Sequence, residues 1–303
     1  MGDKVVLKGV IPPIITPLDA DGNVDGNVDV AAVERLIDFQ LRSGVSGIFI
    51  MGSSGEGPWL DTAQRESLLR ASVRAVDGRV PLLAGAMEPV ASRVRERLPR
   101  LKELGADAAV VATPYYFQAD EAVQCAHFAA VAADSPLPIV LYNIPGMTHN
   151  VLSPAAARHA LQFESIIGIK DSGGDPSLFA ELLAMRETRP DFQVLQGSEA
   201  QSAWALREGA DGLVPGFANL IPGPYRRLYE DPQNDAMQQL AIDLGGMRRH
   251  GFFLNTLKYA MALCGFGSGR CVCRPDTLSR SAKTDIQRMV ATHAPEALAC
   301  APF

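Results

Sequence analysis

Eight short apolar runs alternate with longer amphipathic segments over the first 220 residues. The runs lack polar alternation, as strands buried on both faces do, and the alternation stops at Ile221. Together these three observations predict an α/β fold: a (β/α)₈ barrel over residues 1–220, with residues 221–303 forming a C-terminal helical extension packed on it. A doubly wound open sheet is the competing arrangement.

The strand candidates, in order, are 9–17, 47–51, 80–85, 108–112, 138–142, 166–170, 192–197 and 211–216. Asp29 can cap a helix whose Val30, Val33, Ile37 and Leu41 share one face and which ends at Gly44. A second helix runs from Thr62 to Val76 and stops at Gly78. A third, over 90–104, aligns Val94, Leu98, Leu101 and Leu104, and Pro99 inside it should kink or split it. Beyond the barrel, helices are expected over 222–230, 234–250, 252–263 and 277–291.

Composition narrows the function classes. The 303 residues are 47% hydrophobic and 20% charged with a net charge of −6, an ordinary globular balance that offers no footprint for nucleic acid. The basic stretch RVRERLPRLK has helical charge spacing and reads as a solvated face. No run reaches the roughly 18 apolar residues a membrane span needs. Pro12 and Pro13 interrupt the apolar stretch that a signal peptide would need, and Val6 stands where a myristoylation signal wants Ser or Thr. Five scattered cysteines point to a reduced, cytoplasmic protein. The five histidines are not at ligand spacing and the Cys-Val-Cys stretch at 271–273 has no second pair, so no metal is expected.

The active site of such a barrel forms at the C-terminal strand ends. There the chain places GSSGEGPW (52–59), TPYYF (113–117), YNIPG (142–146), KDSGG (170–174), GSEA (197–200) and PGFAN (215–219). The first of these has neither the Gly-Lys-Ser/Thr ending of a P-loop nor the G-x-G-x-x-G spacing. Its backbone N–H groups and serine pair suit a carboxylate better.

Lys170 ends an isoleucine-rich strand, an expensive place for an ammonium. It either snorkels to solvent or pairs with a carboxylate such as Glu56, or it acts as a Schiff-base nucleophile. Desolvation favours the neutral amine, which is the nucleophilic form. Tyr142 at the end of the neighbouring strand would supply a proton shuttle.

GSSGE after the second strand, YNIPG at the fifth and GIKDS at the sixth resemble the dihydrodipicolinate synthase and N-acetylneuraminate lyase family, in order along essentially the whole chain. The resemblance implies a (β/α)₈ Schiff-base lyase acting on pyruvate or another 2-oxo acid, without metal or organic cofactor. It implies that Lys170 forms the imine, Tyr142 is the general acid/base, and Ser53 joins a proton relay with Tyr142 and Tyr116. Ser53 and Ser54, with their backbone N–H groups, would hold the carboxylate, with Gly52, Ser172, Gly197, Val214 and Met147 completing the substrate contacts. The family's counterpart of Tyr116 crosses a dimer interface, which implies a homo-oligomer, a dimer or a dimer of dimers. No nucleic-acid or membrane partner is implied.

Family members that make dihydrodipicolinate usually carry arginine where this chain has Met147, and a thioether cannot make that bidentate carboxylate contact. KDSGGD, FQVLQGS, GEGPWL and GRCVCRP look closer to 4-hydroxy-2-oxoglutarate and sugar-acid aldolases. Dehydration of a 2-oxo-3-deoxy sugar acid, and a non-enzymatic 2-oxo acid sensor, are the other readings.

Overall fold

The computed structural model describes residues 5–20, 26–272 and 274–301. Eight strands are present among them: β1 (Gly9–Val10), β2 (Ile48–Ile50), β3 (Leu82–Gly85), β4 (Ala108–Ala112), β5 (Ile139–Asn143), β6 (Ile166–Asp171), β7 (Gln193–Gln196) and β8 (Gly212–Leu213). All pair in parallel, in the order β1-β8-β7-β6-β5-β4-β3-β2. The two ends of that sheet meet through a parallel bridge between Pro13 and Phe49. Phe49 donates to the Pro12 carbonyl at 3.0 Å, and Ile14 donates to the Phe49 carbonyl at 2.9 Å. The sheet is therefore a closed barrel, and the open-sheet alternative is excluded.

β1 is much shorter than the run 9–17 because Pro12 and Pro13 have no N–H for a ladder. The chain leaves β8 there and uses the prolines only as acceptors, Pro12 toward Phe49 and Pro13 toward the Asn219 amide at 3.0 Å.

Strand periodicity splits the core in two. Phe49, Leu83, Val110, Val140, Tyr142, Leu195 and Val214 form an inner cluster inside the barrel. Ile48, Ile50, Val111, Leu141, Ile169 and Val194 pack outward against the helices. One irregularity decides the site. Ile139 pairs with Ile166, but the next residue, Val140, pairs with Gly168, so Ile167 is an extra residue in β6. A one-residue insertion reverses which face each later side chain occupies. Ile166 and Ile169 thus both face the helices while Lys170 comes level with inward-facing Tyr142.

The first helices match their sequence signals. Asp29 accepts from the Ala32 N–H at 2.9 Å to start Val30–Arg42, and Asp61 forms a reciprocal cap with Gln64 to start Thr62–Val76. The helix Ala91–Glu103 runs through Pro99 without splitting. Pro99 lies on its exposed side, where water can reach the Arg95 carbonyl that loses its partner. The basic stretch lies largely on the exposed face as expected, and within it Arg97 pairs with Glu88 and Arg100 with Glu66.

The helices after Ile221 are Pro222–Glu230, Asp235–Gly245, Phe253–Leu263, Arg280–His293 and Pro295–Leu298. The segment expected as one helix over 234–250 changes at Gly245-Gly246 into a 3₁₀ turn, Gly246–His250. Two adjacent glycines are poor continuers of an α-helix. The last long helix starts at Arg280, three residues later than expected, because Ser279 caps it by accepting from Ala282 N–H at 3.1 Å. Among the described residues no helix is long and apolar enough to cross a membrane.

Candidate active site at the barrel mouth

A cavity of about 340 Å³ opens at the C-terminal ends of the strands. Ser53, Ser54, Tyr142, Met147, Lys170, Ser172, Gly197 and Val214 all line it. Lys170 is only 5% exposed, and its Nζ lies 4.3 Å from the centroid of the Tyr142 ring and 5.2 Å from that of Phe49. Two aromatic faces thus stand where a buried cation would ordinarily have a carboxylate.

Glu56, the carboxylate that could have neutralised it, is paired elsewhere. It forms an ion pair with Lys258 on the helix Phe253–Leu263 and accepts from the Val272 N–H at 2.7 Å. Glu56 and Lys258 are each 1% exposed. Burial pushes the Glu56 carboxyl up, against the downward pull of Lys258 and the Val272 N–H. The alternative in which Glu56 pairs with Lys170 is thereby excluded: Glu56 ties the serine loop to the C-terminal helices. The same loop is held by Thr16, whose hydroxyl donates to the Gly55 carbonyl at 2.6 Å, and by Arg65, which donates to the Gly57 carbonyl at 3.0 and 3.2 Å. A side chain on Gly57 would come 1.9 Å from the Met51 carbonyl oxygen, so the close approach requires glycine there. Gly52 likewise abuts the Phe49 ring, which a Cβ at that position would approach to 2.7 Å. Ser53 and Ser54 are therefore offered to the cavity on a rigid turn.

The strand ends that carry Tyr142 and Lys170 are fastened by their motif neighbours. Asn143 and Asp171, one residue on from Tyr142 and Lys170, pair in register on the outer face. The Asn143 amide donates to Asp171 at 2.6 Å, and its oxygen accepts from the Leu152 N–H at 2.9 Å. The Gly173 N–H adds a bond to Asp171 at 3.2 Å, and burial still raises this carboxyl. The dipeptides Tyr-Asn and Lys-Asp thus each put one residue into the cavity and one into the bracing. Gly197 leaves room for this: a Cβ there would sit 2.8 Å from Lys170 Cε and 2.1 Å from Ser172 Oγ.

Tyr116 is not brought to this cavity within one chain. It is 84% exposed, has φ of 80°, and its ring meets that of Phe117 edge-on, with centroids 4.9 Å apart. Phe117 is also exposed. Tyr115 turns the other way, donating to the Met87 carbonyl at 3.1 Å. Of the Cys-Val-Cys stretch, Cys271 and Val272 are buried and Cys273 lies outside the described residues.

Among the lining residues that sequence reasoning missed, two are charged, Glu199 and Arg248. Glu199 follows the seventh strand in the quoted GSEA, but nothing distinguished it as a lining group. Arg248 comes from a segment read as plain helix and has no sequence signal at all.

The family model for the dihydrodipicolinate synthetase family matches residues 6–293. Over 197 residues the chain is 38% identical to the 4-hydroxy-tetrahydrodipicolinate synthase of Stenotrophomonas maltophilia strain K279a, covering 65% of this chain and 66% of that protein. Over 200 residues it is 40% identical to the protein of the same name from Xanthomonas campestris pv. campestris, covering 66% of each. These alignments span just under two thirds of the curated relatives' length. The fold is similar to that of dihydrodipicolinate synthase from Thermotoga maritima, with a TM-score of 0.89 over 95% of this chain and 99% of that one, at 24% identity. YagE, an Escherichia coli K12 prophage protein of the dihydrodipicolinic acid synthase family solved with pyruvate, is 29% identical with a TM-score of 0.87, over 95% and 99% of the two chains. With its family match spanning nearly the whole sequence and its lysine and tyrosine side by side at the barrel mouth, this chain belongs to the dihydrodipicolinate synthetase family.

Proposed function

We propose that the chain is a class I lyase that forms a Schiff base between Lys170 and a 2-oxo acid of the pyruvate type, and makes or breaks a carbon–carbon bond to an aldehyde. The observation that carries this reading is the in-register pairing of Tyr142 with a buried Lys170 that has no carboxylate partner among the described residues. A buried amine that is not ion-paired is available to attack a carbonyl, and a phenol beside it is available to move protons.

In the cleavage direction the Lys170 amine adds to the C2 carbonyl, and Tyr142 returns a proton to the oxygen so that it leaves as water. The protonated imine then draws electrons from the C3–C4 bond as the C4 hydroxyl loses its proton, and the aldehyde departs. The enamine left behind takes a proton at C3, and water hydrolyses the imine to release the 2-oxo acid and the free lysine. Ser53, Ser54 and the Gly52 backbone hold the C1 carboxylate, while Ser172, Gly197, Val214 and Met147 contact the remainder. No cofactor takes part.

The exposed Tyr116, on a positive-φ backbone, supports a role across a subunit boundary. It completes the relay with Ser53 and Tyr142 of a partner protomer in a dimer or dimer of dimers. Residues 1–220 carry the chemistry and 221–303 pack on them, in a reduced cytoplasmic setting. The relatives' names favour a second reading, condensation of pyruvate with aspartate semialdehyde. Met147, where that reaction's arginine would stand, weighs against it.

The test is borohydride reduction in the presence of pyruvate, read by intact mass and peptide mapping. A reduced adduct on Lys170, absent from Lys170→Ala, is the expected result. An absence of adduct with pyruvate and with longer 2-oxo acids overturns the proposal.

A further inference from the structure

The cavity around Lys170 carries a second cation, and it comes from the C-terminal extension. Arg248 lies in the 3₁₀ turn Gly246–His250 that the Gly245-Gly246 pair creates. It lines the same cavity as Lys170 and Met147. Its guanidinium lies 5.4 Å from the Phe217 ring centroid, and its Nη2 donates to Glu199 Oε2 at 2.9 Å. Glu199 is itself 5% exposed, and its other oxygen accepts the Gly216 N–H at 2.9 Å. The Gln238 amide also donates to the Glu199 backbone carbonyl at 2.9 Å. The carboxylate is thus immobilised on the barrel, and the guanidinium is held by one edge.

Arginine has five N–H donors in a planar fork, and among the described residues this one spends one nitrogen on Glu199. Its side chain is half exposed, so the remaining donors are not buried under protein. Of the described residues lining the cavity, only Lys170 and Arg248 are basic and only Glu199 is acidic. A substrate whose first carbon chemistry occurs at Lys170 therefore meets one further anchoring cation, at the edge of the same space. Met147, which also lines the cavity, has a side chain with no hydrogen-bond donor to offer a carboxylate.

We propose that Arg248 grips a carboxylate at the far end of the substrate chain, so that the site selects 2-oxo dicarboxylates over 2-oxo acids with an apolar end. Glu199 acts through it as a positioning residue. The inference rests on the Schiff-base reading of Lys170 and deepens it, placing the preferred substrate in the class of 4-hydroxy-2-oxoglutarate rather than that of neutral-ended chains. Because the guanidinium is half exposed, water and salt screen the contact, and a selectivity of about tenfold is expected rather than several orders of magnitude.

The experiment uses imine trapping, which needs no turnover. The concentrations of 2-oxoglutarate and of 2-oxopentanoate that half-saturate borohydride labelling are measured for the intact protein and for Arg248→Gln, Arg248→Lys and Glu199→Gln. The two acids have the same chain length and differ in a terminal carboxylate against a methyl. The unaltered protein should trap 2-oxoglutarate at about one tenth of the 2-oxopentanoate concentration. Arg248→Gln should bring that ratio close to one, Arg248→Lys and Glu199→Gln should fall between, and added salt should lower the ratio in the unaltered protein. A ratio near one in the unaltered protein overturns the inference whatever the variants do. So does an unchanged ratio in Arg248→Gln. Failure of the unaltered protein to trap pyruvate or either longer acid overturns the Schiff-base reading itself, and a pyruvate adduct with no carboxylate preference leaves that reading standing while removing this one.

Discussion

Two lysines of this chain are almost excluded from water, and their surroundings differ in kind. Lys258 is 1% exposed and ion-paired with a Glu56 that is equally buried, while a backbone N–H satisfies the other carboxylate oxygen. Lys170 is 5% exposed and has two aromatic faces and, among the described residues, no carboxylate partner. The first arrangement neutralises a charge so that it can be structural: it clamps the serine loop to the helix Phe253–Leu263. The second leaves the amine without an ion pair, next to the Tyr142 ring and facing the cavity. Burial alone therefore does not mark a catalytic lysine. Burial without an ion-pair partner, beside a phenol, is what supports the proposed role of Lys170.

That contrast can be broken by substitution. Lys258→Met should cost roughly 3–5 kcal/mol in a denaturant titration, because it strands a buried Glu56 carboxylate. Replacing Glu56 together with Lys258 by apolar residues should recover much of the loss. If Lys258→Met proves harmless, the pair is not a clamp. A third buried basic group extends the comparison. His127 is 5% exposed, its Nε2 has no hydrogen-bond partner among the described residues, and burial lowers it from 6.5 to about 4.

The folded-state value of His127 is depressed, so its contribution to stability is complete above pH 6.5. That contribution falls as pH drops toward 4, because the unfolded chain takes the proton first. The shift corresponds to roughly 3 kcal/mol. Unfolding midpoints at pH 7 and pH 4.5 should therefore draw apart less in His127→Gln than in the unaltered protein. Identical pH dependence in the two would remove His127 from the account. The smallest effect is expected at Lys170, the proposed nucleophile: Lys170→Met should change stability by no more than about 1 kcal/mol, or raise it, since a buried amine without an ion pair is lost. A cost comparable to that of Lys258→Met would mean that Lys170 is structural after all.

Much of this site was legible along the chain because its parts sit at strand ends, and strand ends are marked by glycine, proline and hydroxyl residues. The lysine after an isoleucine run, the tyrosine closing the preceding strand and the serine pair after the second strand all line one cavity. Arg248 and the Glu56–Lys258 pair were not legible. Their partners are 49 and 202 residues away in sequence, and nothing local distinguishes them from surface charges.

The sequence by itself determined the alternation of buried strands and amphipathic helices, and hence a barrel with its functional groups on one rim, because apolar periodicity and turn residues act over a few positions. Only the tertiary structure decided which way Lys170 points. Simple alternation from inward-facing Ile167 would turn Lys170 outward, and the extra residue at Ile167 and Gly168 reverses that phase. Such a bulge is settled by pairing against the neighbouring strand, a long-range choice that residue periodicity does not encode.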